Sequence, residues 1–190
     1  MKIAVFCGSS SGNNPEFTTA AQALGRTLAA RDIELVYGGG KVGLMGTIAD
    51  AVLAAGGKVT GVIPRALEAR EVAHTSLSAL HVVGDMHERK ALMAQMADGF
   101  IAMPGGAGTL EEIFEAWTWA QLGYHRKPCG FLNVARYYDK LIAFMDDMVD
   151  HGFMKSPYRE MVRVEHAPEP LLDALLTYTP PLEKWATARP

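Results

Sequence analysis

The chain has only two cysteines, Cys7 and Cys129, far apart and in no CxxC pair. A disulfide-dense framework and the usual zinc or redox spacings are thereby excluded, and both residues read as reduced core thiols. No charge dominates: 18 Lys and Arg face 21 Asp and Glu, a formal net charge of -3. There is thus no overall basic field for nucleic acid or an anionic membrane, although a local basic patch stays open. Long apolar runs are missing as well. After Met1-Lys2 the early run Ile3 to Cys7 breaks at Gly8-Ser9, too short for a signal segment or a bilayer span, so the cytoplasm is the expected location. His74, His81, His125, His151 and His166 form no HExxH or other ligand spacing, and no metal is expected. Gly40-Lys41 is followed by Val42 rather than Ser or Thr, so there is no Walker A lysine.

What remains is ordinary globular material: 190 residues, 49% apolar and 21% charged, enough for one domain with a sizeable core. The expected domain is 1–178, followed by a loose proline-containing tail at 179–190. Short Val- and Ile-rich runs alternate with helical patterns, which predicts a parallel sheet covered by helices on both faces. Strands are predicted at Ile3–Cys7, Ile33–Tyr37, Lys58–Ile63, Leu80–Val83, Phe100–Met103, Gly130–Asn133 and Met161–Val164. Helices are predicted at Pro15–Ala30, Gly43–Ala55, Met86–Ala97, Thr109–Leu122, Tyr137–His151 and Glu169–Tyr178. Right-handed crossovers then give an α/β, doubly wound sheet, whose ligands bind beyond the carboxyl ends of the strands.

Three of the turns at those ends are rich in glycine. Residues 38 to 43 satisfy GxGxxG, but the ribose-binding acid expected about twenty residues on is replaced by Val62-Ile63-Pro64-Arg65, which argues against NAD or FAD. Gly8, Ser9, Gly39, Gly40 and Gly43 are candidate phosphate or loop contacts; alternatively these glycines merely permit tight strand-to-helix turns.

The most specific stretch is Pro104-Gly105-Gly106-Ala107-Gly108-Thr109-Leu110-Glu111-Glu112. Its glycines can turn consecutive N–H groups towards an anion. Thr109 and Glu112 also have capping-box spacing, so Glu112 either caps the helix, acts on a ligand, or does each in turn. Two adjacent glutamates would repel a phosphate and better face a sugar carbon gaining positive charge. Asp85 and Glu88 form a second capping box, which gives Glu88 a structural role and leaves His87 exposed. Met86, Met93 and Ala97 mark the inward stripe of that helix, and Arg89 and Lys90 fall on it. Long basic stems can snorkel to water, but the guanidinium suits bidentate recognition of phosphate or carboxylate. Met45, Met93, Met96, Met103, Trp117 and Trp119 read as packing. Cys7 has no evident base partner and reads as a buried strand-end thiol.

These residues resemble the LOG ("lonely guy") family, cytokinin riboside 5′-monophosphate phosphoribohydrolases once widely labelled possible lysine decarboxylases. The likeness runs from Phe6–Ser10 through Tyr37–Gly46 to Trp117–Gly123. The two defining motifs, PGGxGTxxE and MxxRK, stand at Pro104–Glu112 and Met86–Lys90. Ala107 departs from the Tyr that many members carry between the glycines. The resemblance implies a Rossmann-like fold, a homodimer with sites near the subunit interface, and hydrolysis of the N-glycosidic bond of N6-modified adenosine 5′-monophosphates without metal or other cofactor. It also implies that Arg89 and Glu112 are the catalytic pair. Nucleotide contacts would come from Glu71, Lys90, Gly106, Ala107, Gly108, Thr109, Leu110, Glu111 and Thr118. A broader AMP nucleosidase and a non-catalytic nucleotide-sensing module are the competing readings. A pyridoxal-phosphate decarboxylase is disfavoured, because no lysine has the Schiff-base context.

Overall fold

The computed structural model describes residues 1–68 and 73–181. Glu71 and residues 182–190 of the expected tail lie outside the described residues. Seven strands form one all-parallel sheet: β1 (Lys2–Phe6), β2 (Glu34–Tyr37), β3 (Val59–Pro64), β4 (Ala79–Val83), β5 (Gly99–Ala102), β6 (Cys129–Leu132) and β7 (Val162–Glu165), in the order β4-β3-β2-β1-β5-β6-β7. The helices are α1 (Pro15–Ala30), α2 (Gly43–Ala54), α3 (Arg65–Glu68), α4 (Met86–Met96), α5 (Ala107–Gln121), α6 (Asp139–Asp150), α7 (Ser156–Arg159) and α8 (Pro168–Leu176).

Residue alternation along each strand builds two cores. Ile3, Val5, Leu35, Tyr37 and Ile101 face one way, onto α1, α2 and α8. Ala4, Phe6, Val36, Phe100, Ala102 and Phe131 face the other, onto α4, α5, α6 and α7. Because both faces are covered, the inner strands read as continuous apolar runs. The edge strand β4 differs: Leu80 and Val82 are exposed, since no strand lies beyond it. The strand order runs outward from β1 in one direction and from β5 in the other, so the switch point lies between them, where such folds bind ligands.

All seven predicted strands and six predicted helices are present, but three details differ. Met86, expected on the buried stripe of α4, is 39% exposed at the first position of the helix. Helix α5 begins at Ala107 rather than Thr109, with Gly106 as its N-cap and no side-chain cap bond. The helix expected at Tyr137–His151 starts only at Asp139, after a 3₁₀ turn at Val134–Arg136. There Asn133 takes over the local hydrogen bonding, accepting from Tyr138 N at 2.8 Å and donating to Asp139 at 2.8 Å. The one-turn helices α3 and α7 have no counterpart in the sequence reading, being too short to show a helical period.

Candidate active site

The loops after β1, β2 and β5 are tied into one cluster. Gly8 N donates to Pro104 O at 3.0 Å, and Leu44 N donates to Gly8 O at 3.0 Å. Gly43, at φ +61°, packs so closely on the Ser9 backbone that a Cβ there would lie 2.3 Å from Ser9 C. A cavity of about 300 Å³ opens at this cluster, lined by Gly8–Gly12, Phe17, Leu44, Pro104–Gly106 and Tyr137. Gly8 and Ser9 thus line it, whereas Gly39, Gly40 and Gly43 do not. Gly39 and Gly40 are buried, and Gly39 O accepts from His74 N at 3.0 Å.

Helix α4 delivers Arg89. Asp85 caps the helix, its carboxylate accepting from His87 N at 2.8 Å and Glu88 N at 2.9 Å, while Glu88 reaches back to Gly84 N at 2.7 Å. Asp85 is the expected N-cap, but the return bond from Glu88 goes to Gly84 N, one residue before the cap, rather than to Asp85 N; His87 is exposed. One turn on, Arg89 enters the core. Its Nη2 stands 3.4 Å from Glu112 Oε1, with the two side chains only 8% and 10% exposed. Its Nη1 contacts Met86 Sδ at 3.7 Å, and its Nε is buried without a hydrogen-bond partner. Burying a charge at this depth is costly unless an opposite charge meets it, which Glu112 does.

Helix α5 is capped at Gly106 rather than at Thr109, and Glu112 faces Arg89. With Gly106 as N-cap, Thr109 lies inside the first turn, buried, and its Oγ1 packs beneath Gly105, where a Cβ would lie 2.1 Å away. Glycine at 105 leaves the room that the Thr109 side chain fills, and the start at Ala107 places Glu112 on the second turn of the helix.

Lys90 does not snorkel freely. Its Nζ contacts Glu111 Oε1 at 2.5 Å and Glu115 Oε2 at 3.1 Å, joining α4 to α5. Burial alone would lower its pKa, but the two carboxylates outweigh that and raise it. Ala107 and Gly108 are exposed at the helix start and Leu110 is half-buried. Thr118 is exposed, about 16 Å along α5 from Ala107. The buried Cys7 thiol is held well above its ordinary pKa by burial and then by Glu112, with Arg89 opposing, so it stays a neutral thiol beside the pair.

Sequence reasoning missed Gly38. A Cβ there would lie 2.2 Å from Arg89 Nη2, so the guanidinium occupies the space a side chain would take. Tyr137 was missed too, because its position was read as helix. No local pattern marks the first contact, which joins residues far apart in sequence. Among the described residues no group of three or more His, Cys, Asp and Glu could hold a metal, and no helix is long and apolar enough to cross a membrane.

Fold and site together define a single-sheet, doubly wound α/β protein with a glycine-lined cavity at its switch point and a buried carboxylate–guanidinium pair between α4 and α5. The family model described as "Possible lysine decarboxylase" matches residues 45–175. The chain is 49% identical over 183 residues, 96% of its length and 84% of the relative's, to cytokinin riboside 5′-monophosphate phosphoribohydrolase LOG7 of Arabidopsis thaliana. It is 51% identical over 178 residues, 94% of its length and 80% of the relative's, to the probable cytokinin riboside 5′-monophosphate phosphoribohydrolase LOGL1 of Oryza sativa subsp. japonica. The chain belongs to this LOG family. It shares its fold with the molybdenum cofactor carrier protein of Chlamydomonas reinhardtii, at TM-score 0.71 and 21% identity, covering 93% of this chain and 98% of that one. The molybdenum cofactor binding protein of Rippkaea orientalis is similar in fold, at TM-score 0.68 and 21% identity over 93% and 97% of the two chains.

Proposed function

We propose that the protein hydrolyses the N-glycosidic bond of N6-modified adenosine 5′-monophosphates, releasing the free base and ribose 5-phosphate. The observation that carries this reading is the Glu112 carboxylate, nearly buried and 3.4 Å from the Arg89 guanidinium, next to loops suited to an anion. Cleavage of the C1′–N9 bond leaves oxocarbenium character at C1′, which a carboxylate stabilises while taking a proton from the attacking water. The water oxygen bonds to C1′, and the purine departs with the bond's electron pair and is protonated. Arg89 pairs with Glu112 and orients it, and its buried Nε is a donor suited to a ribose or phosphate oxygen. The 5′-phosphate lies in the cavity against the Ser9–Gly12 and Gly105–Gly106 backbone, lending remote binding energy that positions C1′.

Lysine decarboxylation fits the residues poorly. Schiff-base chemistry needs a neutral amine, whereas Lys90 is kept protonated by Glu111 and Glu115, and Lys41 stands exposed. The same reading takes the protein as a cytoplasmic homodimer, for which the exposed apolar side chains of Leu80, Val82 and Met86 are candidate contacts with a second copy.

The test is product formation from N6-isopentenyl-AMP, AMP and isopentenyladenosine, resolved by chromatography. Free base from the modified monophosphate alone supports the proposal. Equal release from AMP favours a broader nucleosidase, and nucleotide binding with no release favours a sensing module.

A further inference from the structure

The turn after β6 holds two of the three non-glycine residues with positive φ among the described residues. Ala135 (φ 49°, ψ 28°) and Arg136 (φ 60°) both adopt the left-handed region although neither is glycine. Side chains in that region are uncommon and persist only where the surroundings hold them. Here buried Asn133 bonds both Tyr138 N and Asp139, Arg136 Nε is paired with Asp139 at 2.6 Å, and Asn133 O meets His166 Nδ1 at 2.9 Å. The product of this strapping is a pair of adjacent tyrosines whose hydroxyls both reach the glycine loop after β5.

Tyr138 OH donates to Met103 O at 2.6 Å and Tyr137 OH to Gly105 O at 2.7 Å. Between them, Gly8 N donates to Pro104 O at 3.0 Å. Three consecutive peptide carbonyls are thus each held by a donor. A trans peptide points its C=O and N–H in opposite directions, so the same bonds fix where the N–H groups of Gly105 and Gly106 point. The Gly105–Gly106 peptide most needs such a hold. A peptide flips by rotating ψ of one residue and φ of the next, and with glycine on both sides neither rotation meets a side chain. Tyr137 is the group that holds it, and its ring is itself fixed edge-on against Phe17 at 5.5 Å.

We propose that Tyr137 is a positioning residue for phosphate recognition: its hydroxyl locks the Gly105–Gly106 peptide in the orientation that presents the Gly106 N–H to the substrate's 5′-phosphate. This rests on the reading of the site as one for nucleoside monophosphates. The strained turn is then the means by which β6 delivers the tyrosine to the lip of the cavity.

The test compares wild type with Tyr137→Phe, which keeps the ring and removes the hydroxyl, and with Tyr124→Phe as a surface control. Affinities for inorganic phosphate, AMP and isopentenyladenosine are measured by calorimetry, and KM and kcat for N6-isopentenyl-AMP by product release. Tyr137→Phe is expected to weaken phosphate and AMP about tenfold and raise KM about tenfold, with kcat and the phosphate-free riboside changed less than about twofold, the loss of one oriented bond. Phosphate and AMP affinities within about twofold of wild type overturn the proposal, as does an equal loss for the riboside. The Gly106 amide resonance of the wild-type protein gives a second readout: a large shift on phosphate titration is expected, and none refutes the assignment even if the variant folds poorly. If wild type releases no base from any substrate, the hydrolase reading fails while the phosphate titrations still decide the role of Tyr137.

Discussion

Replacing Gly38 with alanine should damage activity far more than stability. A Cβ at this position would lie 2.2 Å from Arg89 Nη2 and 3.1 Å from both Arg89 Cζ and Met45 Sδ. Normal van der Waals separation requires the guanidinium to retreat by about 1 Å or more. The fold itself should accommodate the change, because Gly38 is not in the left-handed region and the closest clash is with the end of a flexible side chain. Loss of unfolded-chain entropy offsets part of the crowding, leaving stability within about 1 kcal/mol of wild type. Misplacing a catalytic group by about 1 Å costs about a hundredfold in rate, or about 2.7 kcal/mol of transition-state stabilisation. The assay is kcat/KM for N6-isopentenyl-AMP together with the melting temperature, repeated in an Arg89→Ala background. If the effect runs through Arg89, Gly38→Ala should add little there. A kcat/KM within about threefold of wild type, or a full effect retained without Arg89, would refute the reasoning.

Two further outcomes follow from packing and charge. Gly43→Ala meets the Ser9 backbone at 2.3 Å and a φ of +61°, so it should cost at least about 2 kcal/mol in denaturant unfolding, whereas Gly106→Ala, with nothing within 4 Å of its Cβ, should leave stability within about 0.5 kcal/mol. Burial, then the Lys127 charge, pushes the His125 pKa down to about 4. Between about pH 6.5 and 4 the unfolded chain therefore takes up a proton that the folded chain refuses, and stability falls as pH drops through that window. The ring is partly reached by solvent, so the loss is about 1–2 kcal/mol, and His125→Gln should flatten that part of the pH profile in urea titrations.

The sequence was most legible where local signals were strong. The bounds of α1 agree with the reading at both ends, and the structure shows Asn14 as its cap, Asn14 Oδ1 accepting from Glu16 N at 3.0 Å just before Pro15 opens the helix. Asp85 as the cap of α4 was equally plain, and it sets the phase that carries Arg89 inward. Glycines hid the start of α5: they carry no periodicity, so Thr109 looked like the cap when Gly106 is. The turn before α6 was hidden for the opposite reason, since Ala135 and Arg136 are good helix formers and nothing in them announces a positive φ. Gly38 was counted as part of a dinucleotide fingerprint, but its use is to make room for a guanidinium arriving from a distant helix, a contact that only the folded chain reveals.

The central claim is that the Glu112 carboxylate, held by Arg89, performs the chemistry. Its most direct test is the single-turnover release of isopentenyladenine from N6-isopentenyl-AMP by wild type and Glu112→Gln, with AMP affinity measured alongside. The account predicts a fall of about a hundredfold or more in the variant with AMP binding largely kept. Near wild-type release by Glu112→Gln would contradict it.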